Sequence, residues 1–332
     1  MRITRQKLID LARRHAEATA AESGLLSAYL TGSVVTGEPL LGGSADVDVV
    51  LIHESAGPPT REIVHLSDDV HLDIAHHART LYANPRAIRI DPWLGPAVCE
   101  PVFLYDPDHF FEWAQAGARG QFHRADYVAA RARGMLEAAR TVAPGSSANG
   151  AADWLDGYLE AAQRGANAVA LLTGFPVWGR RISLGLQQKA QALGRPEVYD
   201  GFLRLLGAEG SVAWDLPGWI AAWARAVDLA SAHRPAPDLH PSRRTYLLRG
   251  FQALVEAGRP EAVLWLLLVT WSQALTSLDG ASGDLAARET FQRTLEALQL
   301  AEPNHPSRAE ELESYLDHVE TILETWAVQN GA

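Results

Sequence analysis

The period of the hydrophobic positions along this chain of 332 residues passes from helical to strand spacing and back to helical. From Thr4 to Ala21 the apolar residues Leu8, Ile9, Leu11 and Ala12 recur at helical spacing, predicting an amphipathic first helix. Short apolar runs at strand spacing follow: Leu26 to Leu30, the stretch around Val47, Val49, Val50 and Leu51, and a hairpin of Arg61 to Leu66 and Val70 to Ala75 about the polar turn Ser67-Asp68-Asp69. A helical or irregular crossover from Ala78 to Leu94, carrying Asn84-Pro85 and Asp91-Pro92, leads to an expected strand from Ala97 to Tyr105.

Beyond Arg124 the strand period vanishes. Helical patterns are predicted at 124–142, 151–173, 180–193, 197–206, 217–232, 242–257, 260–278, 283–299 and 307–328, separated by clusters such as Pro144-Gly145-Ser146-Ser147, with no fixed repeat. The expected fold class is therefore α+β: a small mixed β-sheet domain over 1–122, followed by an all-α helical bundle over 123–332.

The most informative stretch is Leu25 to His53, which reads as a strand, a Gly32-Ser33 turn opening a short helix, a glycine-rich return from Leu40 to Ser44, and a strand carrying Asp46 and Asp48. Residues two apart on a strand share a face, roughly 6.6 Å from one another, so both carboxylates point the same way. A carboxylate among Val47, Val49, Val50 and Leu51 needs compensation, and a hard divalent cation supplies it. Gly32 lets backbone approach a phosphate, and the amides at the start of the following helix suit an anion.

With Thr31-Gly32-Ser33, twelve residues, then Asp46-Val47-Asp48-Val49, the chain resembles the nucleotidyltransferase superfamily named after DNA polymerase beta. Thr31 departs from the aliphatic residue commoner before the Gly-Ser pair. That family usually has a third carboxylate on a later strand, and Val70-His71-Leu72-Asp73-Ile74 offers Asp73. The resemblance implies that Asp46, Asp48 and Asp73 are the catalytic and metal residues for Mg²⁺ or Mn²⁺, with Asp73 orienting or activating an acceptor hydroxyl. It also implies that Gly32 and Ser33 hold the β and γ phosphates of ATP or another nucleoside triphosphate. Ser44, in the glycine-rich return, is a further candidate on the nucleotide. So is Lys189, the only lysine outside the first helix, with Arg180 and Arg181 nearby in sequence.

Net charge of -11 and a pI near 5.5 disfavour a nucleic-acid partner and suit a cationic one, although acidity also serves solubility. The single cysteine, Cys99, excludes an internal disulfide and reads as a core thiol in an apolar strand, which agrees with a reducing, cytoplasmic location. The N-terminal residues do not read as a signal peptide, and the run from Ala262 to Thr270 falls short of the roughly 20 apolar residues that a membrane span needs. His65, His71, His76 and His77 surround Asp73 in sequence but read as packing or solvated residues rather than a zinc site, and Glu160 as an exposed helix residue. The tryptophans of the second half, Trp154, Trp178, Trp214, Trp219, Trp223, Trp265, Trp271 and Trp326, are expected mostly in the core.

A catalytic domain of this size before a helical one, in an acidic chain, is similar to the aminoglycoside nucleotidyltransferases. That implies transfer of AMP to a small, cationic, hydroxylated acceptor and a role in antibiotic resistance. Two alternatives stand beside it: adenylylation of a protein, as in toxin-antitoxin systems, and a non-catalytic nucleotide-binding module. Nothing in the sequence specifies an oligomeric state.

Overall fold

A computed structural model describes residues 3–55, 61–144, 151–208, 214–233, 236–278 and 284–332. Gly57-Pro58-Pro59, whose composition predicts a break after the strand that carries Asp46 and Asp48, and the predicted break at Gly145-Ser146-Ser147 lie outside the described residues. The chain forms two compact units, one of residues 1–124 and 240–250, the other of residues 125–239 and 251–332. The α+β class is as expected. The expected division, however, gave everything after residue 122 to the helical part, whereas His240–Gly250 belongs with the sheet.

The first unit opens with α1 (Arg5–Ser23), capped by the Thr4 hydroxyl and ended by Gly24 in the left-handed region at φ 62°. Then come β1 (Ser27–Leu30), the single turn α2 (Ser33–Thr36), β2 (Ala45–His53), β3 (Arg61–Ser67), β4 (Val70–Ala78), α3 (Pro85–Ile90), α4 (Leu94–Cys99), β5 (Val102–Tyr105) and α5 (Phe110–Arg119). The sheet order is β3-β4-β2-β1-β5. β2 and β4 pair in parallel, with Asp48 beside Asp73, and the other pairings are antiparallel.

Period-two alternation divides the sheet into two faces. Val47, Val49 and Leu51 of β2, with Leu72 and Ile74 of β4, pack with Leu8, Ile9, Ala12 and Ala16 of α1. The opposite face gathers Val50, Ile52 and Tyr29 with Ile88 of α3, Val98 of α4 and Phe111 of α5. Asp46 and Asp48 share the parity of Val50 and Ile52, and Asp73 that of Ala75. All three therefore lie on the second face, toward the strand ends where that apolar cluster stops.

The expected strand from Ala97 to Tyr105 is only half strand. Residues 97–99 end α4, because the Asp91 carboxylate accepts the Trp93 and Leu94 N–H groups at 2.8 and 2.6 Å and so starts a helix turn there. Pro101 lacks the N–H to prolong a helix, and β5 begins at Val102. Cys99 is buried, as expected, but in a helix rather than a strand. A short apolar run fits either element, which is why the period did not separate them.

The second unit consists of α6 (Ala125–Val142), α7 (Ala151–Leu171), α8 (Ile182–Ala192), α9 (Glu197–Leu205), α10 (Leu216–His233), the end of α11 (Pro241–Glu256), α12 (Leu264–Ser277), α13 (Asp284–Ala297) and α14 (His305–Asn330). Its helices fall close to every predicted span. Trp154, Trp219, Trp223, Trp265 and Trp271 are buried. Two of them are also hydrogen-bonded in place: Trp223 Nε1 donates to Thr270 Oγ1 at 2.9 Å and Trp265 Nε1 to the Leu159 carbonyl at 3.1 Å. Trp178 departs from the core expectation and is 62% exposed. Among the described residues no helix is long and apolar enough to cross a membrane.

Candidate metal and phosphate site

Three carboxylates meet at the end of the sheet. Asp46 and Asp48 on β2 and Asp73 on β4 each offer an oxygen within 4.8 Å of the others, and among the described residues they form the one group of three such ligands close enough to share an ion. The parallel register that sets Asp48 beside Asp73 is what brings the third carboxylate in.

Gly32 forms the floor under Asp48. The Thr31 N–H donates to the Asp48 carbonyl at 3.1 Å, and Gly32 has φ 69° and ψ -152°. A Cβ built on Gly32 would fall 1.9 Å from Asp48 Oδ2. Glycine is therefore required twice over, by its conformation and by the closeness of the carboxylate. The following α2 is a single turn, too short to carry much of a helix dipole, and Arg5 Nε fixes it by donating to the Val34 carbonyl at 2.7 Å. Ser33 Oγ is buried and has no hydrogen-bond partner among the described residues. An orphaned hydroxyl is costly unless a ligand completes it.

Charge in the cluster is unevenly distributed. Burial raises the Asp48 carboxyl well above its ordinary value, and the neighbouring Asp46 and Asp73 charges raise it further, against the opposing pull of Arg243 and Arg61. Burial alone would raise Asp73 too. Its hydrogen bonds to Arg61, and the charges of Arg243, Arg61 and His71, prevail and hold it below the usual range. Arg61 meets Asp73 as a fork, Nε to Oδ1 at 2.7 Å and Nη2 to Oδ2 at 2.5 Å, and Arg243 Nη1 also donates to Oδ2.

The residues fit a divalent cation: three hard oxygen donors converge, and one of them is destabilised in its charged form by the other two. Beside them lie an orphaned hydroxyl and a glycine that admits close approach.

Of the other sequence candidates, Ser44 is buried and its hydroxyl donates to the Leu41 carbonyl at 3.3 Å, closing the glycine-rich return that leads into β2. Lys189 belongs to the helical unit, on α8, where its Nζ donates to Thr173 Oγ1 at 2.7 Å and burial lowers its pKa. Glu160 is paired with Arg164 one helical turn away. The four histidines do separate jobs. His71 meets Tyr246 edge-on at 5.2 Å, His65 shares a hydrogen bond with Ser242, His76 one with His53, and His77 one with Tyr82.

Arg61 and Arg243 are the site residues that sequence reasoning missed. Arg61 carries a local signal, since it starts the strand of the hairpin that pairs with the Asp73 strand. Arg243 lies 170 residues from Asp73 and carries none. No protein-family model matches this chain, and no curated protein matches it.

Proposed function

We propose that the chain is a metal-dependent nucleotidyltransferase that moves a nucleoside monophosphate, AMP from ATP in the first instance, to a hydroxyl of a small cationic acceptor of the aminoglycoside kind, releasing pyrophosphate. The observation that carries this reading is the convergence of Asp46, Asp48 and Asp73 directly above Gly32. A divalent ion bound there would neutralise triphosphate charge and polarise the α phosphate, the usual requirement of phosphoryl displacement.

In this reading Asp46 and Asp48 are the permanent ligands and Gly32 and Ser33 the cradle for the phosphate tail, with the orphaned Ser33 hydroxyl donating to a phosphate oxygen. The acceptor oxygen attacks the α phosphorus, the bond to the β phosphate breaks with pyrophosphate as leaving group, and the hydroxyl proton passes to solvent. Asp73 orients rather than abstracts: a carboxylate held ionised by positive charge, two guanidiniums at rest and a cation once one is bound, is a weak proton acceptor. The acidic net charge of -11 supports the cationic acceptor.

The test is pyrophosphate release from each nucleoside triphosphate with Mg²⁺ or Mn²⁺ across a panel of aminoglycosides and other hydroxylated compounds, with Asp46→Asn/Asp48→Asn as the blank. Acceptor-dependent release that vanishes in the blank is the expected result. Nucleotide binding with no release across the panel would overturn the small-acceptor reading.

A further inference from the structure

Asp73 is contested. Arg61 engages both of its oxygens and Arg243 engages Oδ2 a second time, so a cation seeking Asp73 as a ligand must compete with two guanidiniums for the same lone pairs.

Arg243 is delivered there by design of the fold rather than by chance of a long side chain. It sits in the first turn of α11, in the segment that belongs to the sheet unit. That segment is fastened on either side of it. Ser242 Oγ and His65 Nδ1 lie 2.9 Å apart, Tyr246 packs on His71, and Arg249 pairs with Asp69 of the hairpin turn. Gly42, at φ 60°, admits the Arg249 carbonyl, which a Cβ there would meet at 2.2 Å. The glycine-rich return is thus shaped by the helix that carries Arg243. Held in this way, Arg243 still has a buried Nε with no hydrogen-bond partner among the described residues. It has a donor to spare, and a second ligand with oxygens on one plane could use it.

Three carboxylates against two guanidiniums leave the cluster close to neutral. A divalent cation added alone would be repelled by the arginines. A triphosphate tail added alone would be repelled by the carboxylates. Added together they offset one another in part, and each finds the partner that the other displaces. Guanidinium prefers the forked oxygens of phosphate as readily as those of carboxylate.

We propose that Arg61 and Arg243 work by exchange: they neutralise Asp73 until a metal-bound triphosphate offers them phosphate oxygens, and only then does Asp73 join Asp46 and Asp48 as a metal ligand. This rests on the nucleotidyltransferase reading and adds an order to it. Metal enters with the nucleotide, metal alone binds only weakly, and Arg243 is a positioning residue for Asp73 as well as a phosphate ligand.

The experiment is Mn²⁺ binding to the full chain, followed by electron paramagnetic resonance, in the native protein and in Arg243→Gln, Arg61→Gln and Asp48→Asn. Stabilisation against heat by Mn²⁺ with inorganic tripolyphosphate is measured in parallel. Each arginine variant is expected to bind Mn²⁺ alone roughly tenfold more tightly than the native chain, since it removes a competing positive charge. Each is also expected to gain less stability from Mn²⁺ tripolyphosphate. Misfolding would weaken both responses, so opposite signs are the signature of exchange. Mn²⁺ affinity unchanged or weakened in both arginine variants, with native binding still abolished by Asp48→Asn, would overturn the exchange and leave the metal site standing. Tighter Mn²⁺ with an undiminished tripolyphosphate response would overturn the phosphate half. Mn²⁺ bound by no form, with or without tripolyphosphate, would overturn the site reading and the exchange together.

Discussion

Two arginine clusters, one buried in the helical unit and one half-buried in the sheet unit, use the same chemistry to opposite ends. In the helical unit Arg308 is saturated: Nε donates to the Gln299 carbonyl at 3.1 Å, Nη1 to the Arg204 carbonyl at 3.1 Å and to Glu311 at 2.7 Å, and Nη2 to the Leu298 carbonyl at 3.2 Å. These are carbonyls at and just beyond the ends of α9 and α13, groups that a helix cannot satisfy by itself. In the sheet unit Arg243 serves one carboxylate and keeps Nε orphaned. The Ser33 hydroxyl is orphaned in the same unit, and the Asp48 carboxyl is pushed up by burial and then by its neighbours. A buried charge with every donor used holds helices together. A half-buried cluster with donors and charge left over is built for something that arrives later.

The sharpest way to break that contrast is to neutralise one residue on each side. Asp48→Asn is expected to reduce nucleotidyl transfer by at least about a thousandfold, because it removes a negatively charged metal ligand from the reacting centre. It is also expected to raise the melting temperature in the absence of divalent ions, because the lost charge was one that burial, Asp46 and Asp73 all opposed. Arg308→Met should do the reverse. It strands three carbonyls and Glu311, for a loss of about 3 kcal/mol, while turnover per folded molecule stays at the native level. Thermal unfolding and steady-state assays on both variants check the pair. A destabilised Asp48→Asn, or an inactive but stable Arg308→Met, would dissolve the distinction.

A finer comparison uses two glycines. Gly32 at φ 69° and Gly207 at φ 72° are both left-handed and both crowded: a Cβ would fall 1.9 Å from Asp48 Oδ2 in the first and 2.1 Å from the Leu298 carbonyl in the second. Alanine at either position carries backbone strain of about 1–3 kcal/mol. Only Gly32→Ala should also abolish Mn²⁺ binding and turnover. Equal catalytic loss in Gly207→Ala would mean that the glycine under Asp48 has no special part in the site.

What could be read from the chain follows the same line. Asp46, Asp48, Asp73 and Gly32 were legible because strand alternation fixes which residues share a face, and because a buried strand tolerates carboxylates only for a reason. The helices were legible from their period, and their boundaries from Gly, Pro and Ser. Ala97 to Cys99 misled because apolarity without period does not choose between strand and helix, and the deciding group was the Asp91 side chain. Arg243 and Arg249 were invisible among the arginines of a helical stretch. Only the return of His240–Gly250 to the sheet unit gives them meaning, and no local pattern encodes a return of that length.

The smallest expected effect is the pH slope of stability in the presence of EDTA. A carboxyl whose folded pKa is raised contributes most when protonated: for Asp48 that contribution is full below the ordinary value of 3.8 and is lost as pH rises through the folded value. Asp73 is lowered, so its contribution is present above 3.8 and is lost only as pH falls through its still lower folded value. The two windows do not overlap, which lets one experiment separate them. Melting temperature followed upward from pH 4 should decline with a slope that Asp48→Asn flattens, and Asp73→Asn should lessen that slope only in part, since burial and Asp46 still raise Asp48, while removing stability throughout the range. Mn²⁺ should reverse the Asp48 slope, since metal binds the carboxylates only when they are ionised. Parallel slopes in the native chain and Asp48→Asn, with and without Mn²⁺, would mean that the charge at the strand end is already balanced, and the strand-end cluster would then be as structural as Arg308.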